Sequence, residues 1–84
     1  MHYVYVLQSK VDGQFYTGCT ADLRKRFDEH NDGRVLSTRE RRPLKLIYYE
    51  ACLNEKDAFR REKYLKTTYG KRYIKTRCRN YFTG

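Results

Sequence analysis

The chain has 84 residues, with 19 Lys/Arg against 10 Asp/Glu and a formal net charge of +9. That length predicts one domain, residues 1–84, that buries only a little over ~60% of its unfolded surface. No apolar run is long enough to span a bilayer and no leader pattern is present, so a soluble cytoplasmic protein with no membrane attachment is expected. The three cysteines, Cys19, Cys52 and Cys78, are widely spaced and form no C-x-x-C pair. Neither His2 nor His30 lies at zinc-finger spacing from them, so reduced, partly buried thiols are expected. The charge is uneven: residues 1–42 carry 8 basic and 6 acidic groups, and residues 43–84 carry 11 and 4. From Lys66 onward there are six basic residues and no acid. Basic residues interleaved with aromatics point to a polyanionic partner, most simply nucleic acid.

In chain order, Tyr3-Val4-Tyr5-Val6-Leu7 is β-branched and aromatic, Asp12-Gly13 is a turn signal, and Gln14 to Thr17 resumes strand character. An antiparallel hairpin is predicted, with Tyr3, Tyr5 and Leu7 on one face and Val4 and Val6 on the other. Ala21 to Asp32 reads as a helix with Asp22 at its start and Gly33 at its stop. Leu23, Arg26, Phe27 and His30 fall on one stripe of that helix. Arg34 to Pro43 is a basic loop, and Leu44 to Tyr49 is a third strand. Asn54 is an N-cap, with Asp57 in a capping-box-like place. The following helix is expected to carry Ala58, Leu65 and Tyr69 on its inner stripe, with Glu62 between them, and to end at Gly70. Lys71 to Tyr81 forms a last short helix with Ile74, Cys78 and Tyr81 on one side. The fold class is therefore α+β: a small three-stranded antiparallel sheet flanked by helices, in the order β-β-α-β-α-α.

The patterns push Tyr5, Tyr16, Arg26, His30 and Glu62 toward the sheet. A phenol can take part in proton transfer and a guanidinium can fork onto a phosphate. A lone carboxylate can hold Mg²⁺ that keeps several waters and is completed by phosphate oxygens. Together these are parts for metal-assisted phosphodiester hydrolysis. Tyr3 reads as packing.

The order Tyr3-Val4-Tyr5, Tyr16-Thr17-Gly18 and Asp22-Leu23-x-x-Arg26-x-x-x-His30 resembles the opening pattern of the GIY-YIG nucleases. Arg42 to Glu50 and Ala58 to Lys63 look like the family's small, single-domain bacterial members. Two positions depart from the motif: Tyr3 stands in the place of Gly, and Thr17 in the place of Ile. The resemblance implies that Tyr5 and Tyr16 are the motif tyrosines, one of which helps to deprotonate the attacking water. It implies that Arg26 stabilises the pentavalent phosphate, that His30 orients or shares a proton, and that Glu62 is the single metal-binding acid. Gly18 would let the backbone turn tightly beside the site, and Asn80 is a weaker match to a late asparagine of some members.

The leading expectation is thus a Mg²⁺-dependent endonuclease acting on DNA, structure-selective or repair-related, with Mn²⁺ as a substitute metal. Arg39, Arg41, Arg42, Lys66, Lys71, Arg72 and Lys75 are expected to grip phosphates. The alternative is a non-catalytic nucleic-acid-binding module that keeps the same fold, with RNA left open as ligand. A repair complex or a second copy of the chain are candidate partners. A protein–protein adaptor whose charge serves solubility is a third reading.

Overall fold

The computed structural model describes all of residues 1–84. Its elements are β1 (His2–Ser9), β2 (Phe15–Thr20), α1 (Leu23–Asn31), a 3₁₀ turn (Arg39–Arg41), β3 (Leu44–Cys52), α2 (Glu55–Leu65), α3 (Thr68–Arg77) and α4 (Arg79–Thr83). The strands are antiparallel and ordered β2-β1-β3, so β1 is central and β2 and β3 have open edges. No helix is long and apolar enough to cross a membrane.

Central position explains the composition of β1, whose residues Val4, Tyr5, Val6 and Leu7 are all buried. Val4 and Val6 pack with Ala58, Leu65 and Ile74 of α2 and α3. Tyr5 and Leu7 pack with Leu44 and, at the margin, with Tyr16, Leu46 and the α1 residues Leu23 and Phe27. The sheet therefore has helices on both faces, as the alternation in β1 requires. The hairpin turns at Asp12-Gly13, where Gly13 takes φ +72°. Buried Ser9 holds the turn by accepting the backbone N–H groups of Val11 and Asp12 while donating to Arg41 O at 2.7 Å.

β1 and β3 pair Val6 with Tyr48 but Leu7 with Leu46, so Ile47 is an extra residue in β3. A bulge of this kind interrupts the in-out alternation of the strand. Leu46 consequently faces α1, Tyr48 faces α2, and Tyr49, opposite Tyr5, returns to the α1 face.

The caps agree with the sequence at two starts. Asp22 accepts Lys25 N–H at 3.1 Å, and Asn54 accepts Lys56 N–H at 2.8 Å. Gly33 closes α1 with φ +81°. The region beyond Leu65 differs from expectation. Gly70 does not end a helix: Thr67 caps a new one by accepting Gly70 N–H at 3.1 Å, and Gly70 is buried inside α3. A Cβ there would strike the backbone of Tyr64 and Leu65, so this glycine marks where α3 crosses the end of α2. Tyr69 is accordingly not on the α2 stripe but on α3, and it is exposed. The last helical segment is divided at Cys78, and α4 is fastened to the hairpin by the Phe15–Phe82 pair and by Tyr81 Oη donating to Gln8 Oε1 at 2.6 Å. All three cysteines are free and half-buried.

Candidate active site

Four of the five candidate residues meet on the α1 face of the hairpin. Tyr5 projects from the centre of β1, and its hydroxyl lies 2.9 Å from His30 Nε2. His30 is fully buried, and its Nδ1 lies 2.8 Å from Thr38 Oγ1. Thr38 turns its own hydroxyl to Val35 O at 3.5 Å, so Nδ1–H donates to Thr38 and Nε2 is left to accept from the phenol. The Tyr16 ring stands edge-on to His30 with centroids 4.9 Å apart. Tyr16 is half-buried and its hydroxyl has no protein partner, so that hydroxyl is open to solvent. Arg26, one turn before His30 on α1, pairs with Glu29 at 3.3 Å and keeps its side chain 37% exposed.

Electrostatics follow from this burial. Desolvation pushes the Tyr5 phenol up to about 12, against the pull of the Arg26 guanidinium beside it. Burial first, and the Arg26 charge second, bring His30 down to about 4, so the imidazole is neutral at physiological pH.

Gly18 has a role other than the expected turn. It lies inside β2, directly opposite Tyr5, with no positive φ. A Cβ at Gly18 would collide with the ring and hydroxyl of Tyr5. The missing side chain is thus what lets the phenol lie over the edge strand.

Glu62 comes from the other face of the sheet. It belongs to α2, which covers the Val4–Val6 face, yet its charge reaches both the Tyr5 hydroxyl and the Cys19 thiol of β2. The Glu62 side chain is one-fifth exposed and is held by Lys66 Nζ at 3.1 Å. No three His, Cys, Asp or Glu side chains gather to form a metal cage. A lone carboxylate fits Mg²⁺, which binds few protein ligands and takes other oxygens from water and phosphate, once Lys66 gives way to the metal.

The residues expected to grip phosphates divide by environment. Lys71, Arg72 and Lys75 gather on α3 beside Thr68, and none has a carboxylate partner. Lys71 and Lys75 also border the hairpin at Gly13, Gln14 and Phe15. Arg41, by contrast, is spent within the fold, on Asp12 at 3.2 Å and Phe15 O at 3.4 Å. Arg42 donates to Arg39 O at 2.8 Å, and Arg39 makes a loose exposed pair with Glu40. Lys66 is held by Glu62. Asn80 lies on α4 in a pocket with Tyr73, Arg77 and Arg79, apart from the five.

Two features were not read from the sequence. Thr38 sits in a loop with no periodicity, and only the need of a buried imidazole for a second partner signals it. The other is a clamp between β3 and α2, where Arg61 bonds Glu50 at 2.8 to 3.1 Å and lies over the rings of Tyr73 and Tyr64. Tyr48 donates to the same carboxylate at 2.8 Å. Burial opposes ionisation of Glu50, but Arg61 and Tyr48 outweigh it and hold its carboxyl below the usual range. That clamp is structural.

The fold defines a class that the comparisons bear out. Residues 1–77 match the family model for the GIY-YIG catalytic domain, and the chain belongs to the GIY-YIG family. Its relatives are small bacterial UPF0213 proteins. It is 46% identical over 67 residues to UPF0213 protein CPE1444 of Clostridium perfringens, covering 79% of this chain and 71% of that one. It is 40% identical over 67 residues to UPF0213 protein SSP2268 of Staphylococcus saprophyticus, covering 79% and 80%. The solution NMR structure of UPF0213 protein BH0048 from Bacillus halodurans is similar, with TM-score 0.57 and 35% identity, covering 89% of this chain and 82% of that one.

Proposed function

We propose that the protein is a Mg²⁺-dependent endonuclease hydrolysing phosphodiester bonds of DNA, with residues 1–84 acting as one catalytic domain. The observation that carries this reading is the convergence of the Tyr5–His30 hydrogen bond, the open Tyr16 hydroxyl and the exposed Arg26 with the charge of Glu62. Arg26 binds the scissile phosphate and stabilises the charge that grows on it during attack. Tyr16 orients the attacking water. Tyr5 takes the water proton as it passes its own to His30 Nε2, the water oxygen bonds to phosphorus, the P–O bond to the sugar oxygen breaks, and that leaving oxygen takes a proton from solvent. Phosphate on Arg26 offsets the Arg26 charge, the lesser of the two effects that keep His30 neutral, and to that extent favours the transfer, while burial, the greater, still opposes it. Glu62 is the residue that would hold the metal, which when bound supplies charge neutralisation on the phosphate and a more acidic water.

Lys71, Arg72 and Lys75 supply sequence-independent phosphate contacts. Preference for branched or damaged DNA, and with it a place in repair, belongs to this same proposal. A second reading, a nucleic-acid-binding module without catalysis, is favoured by one observation: Lys66 already neutralises Glu62. Cleavage of single-stranded, duplex and branched DNA and of RNA, with Mg²⁺ and with EDTA, separates the two.

A further inference from the structure

Beside the active site, on the same sheet face, lies a groove of about 590 Å³ that the proposed hydrolysis does not use. Its walls are Tyr3, Leu46 and Tyr49 of the sheet and Leu23 and Phe27 of α1. Tyr3 and Tyr49 stand edge to face with centroids 6.1 Å apart. Tyr49 is 54% exposed, so this is a ring that the core does not need. Tyr49 reaches the face because of the Ile47 bulge, which puts Leu46 and Tyr49 on one side of β3. Tyr3 supplies the second ring at a position where the family motif has glycine.

The rim is polar. Asp22 spends one oxygen on capping α1, and Arg24 has no carboxylate partner. A carboxylate beside aromatic walls repels a phosphate but accepts an amino group, whereas Arg24 at the rim suits a phosphate. Aromatic faces with a flanking cation are how unpaired bases are held.

We infer that this groove is a stacking subsite for one unpaired nucleobase adjoining the scissile phosphate. Tyr3 and Tyr5 are two residues apart on one strand face, a separation of roughly 6–7 Å. The flexible sugar–phosphate link of a single nucleotide spans that interval, so a base in the groove sets its phosphate at Arg26. A paired base, stacked on its neighbours, cannot enter. The inference deepens the nuclease reading and rests on it, because it makes locally unpaired DNA the preferred substrate.

The test is binding, without cleavage, in EDTA. A short single-stranded oligonucleotide carrying 2-aminopurine at one position is titrated into the parent and into Tyr49→Ala and Tyr3→Ala. The groove predicts quenching of the 2-aminopurine on binding and about tenfold weaker binding by each variant. It also predicts that the variants lose little further affinity for an oligonucleotide with an abasic site at that position. Parent-like affinity of both variants for the intact strand overturns the subsite, as does an equal loss for intact and abasic strands. Thermal melting of the variants confirms that the fold persists, which the exposure of Tyr49 favours. If the subsite alone is wrong, Mg²⁺-dependent cleavage survives; if the nuclease reading alone is wrong, stacking is seen without cleavage.

Discussion

His30 shows how one buried side chain ties stability to chemistry. It is fully buried, bonded on both nitrogens, and brought down to about 4 by burial and the neighbouring Arg26. The unfolded imidazole titrates near 6.5, so between pH 6.5 and 4 the unfolded chain binds more protons than the folded one. Stability from this residue is therefore complete above the unfolded value and is lost as pH falls toward the folded value. Urea unfolding should show a loss of about 2 kcal/mol between pH 7 and pH 5. In His30→Gln that slope should flatten, whatever the variant's absolute stability. An equal slope in the two proteins would mean that His30 is not buried neutral. The residue was legible in the sequence because Leu23, Phe27 and His30 share a helical stripe. Its partner Thr38 was not, because a loop of basic residues carries no period from which to infer burial.

At the scale of elements, the hairpin and α1 build the site through positions that have no side chain or an unexpected register. Gly18 is the sharpest case. Alanine in a strand interior is ordinarily favoured over glycine by about 0.5–1 kcal/mol. At this position the added Cβ would press on the buried ring and hydroxyl of Tyr5, which has no room to retreat. The steric cost, of order 1–3 kcal/mol, should outweigh the propensity gain. Gly18→Ala is expected to melt lower than the parent and to lose activity through displacement of the Tyr5 hydroxyl. A Gly18→Ala protein as stable and as active as the parent would contradict that geometry. The motif marked Gly18 as important, but its reason as a turn did not hold, since strand pairing and not local sequence decides what faces it. The same limit explains β3, where a bulge at Ile47 depends on the partner strand. It also explains Gly70, which follows a helix as a cap would but serves a helix crossing.

Across the whole molecule, the charge of +9 is distributed so that some cations hold the fold and others stay free. Arg41 and Arg61 bind acids within the structure, whereas Lys71, Arg72 and Lys75 do not. Composition could foretell the sign of the partner but not this division, which depends on neighbours distant in sequence. If the α3 group contacts phosphates, replacing all three with Ala should weaken DNA binding and reduce the slope of log affinity against log salt by about 2–3. Unchanged slope would place the phosphate contacts elsewhere.

The central claim is hydrolysis at Arg26 and Glu62, and cleavage tests it most directly. Purified parent, Arg26→Ala and Glu62→Ala are to be incubated with single-stranded, duplex and branched DNA in Mg²⁺ and in EDTA. The parent should cut in Mg²⁺ and not in EDTA. Both variants should lose at least about 100-fold in rate, on the scale of removing one transition-state charge partner, while keeping the parent's circular dichroism. Cleavage by Glu62→Ala at the parent's rate, or parent cleavage that persists in EDTA, would contradict the account.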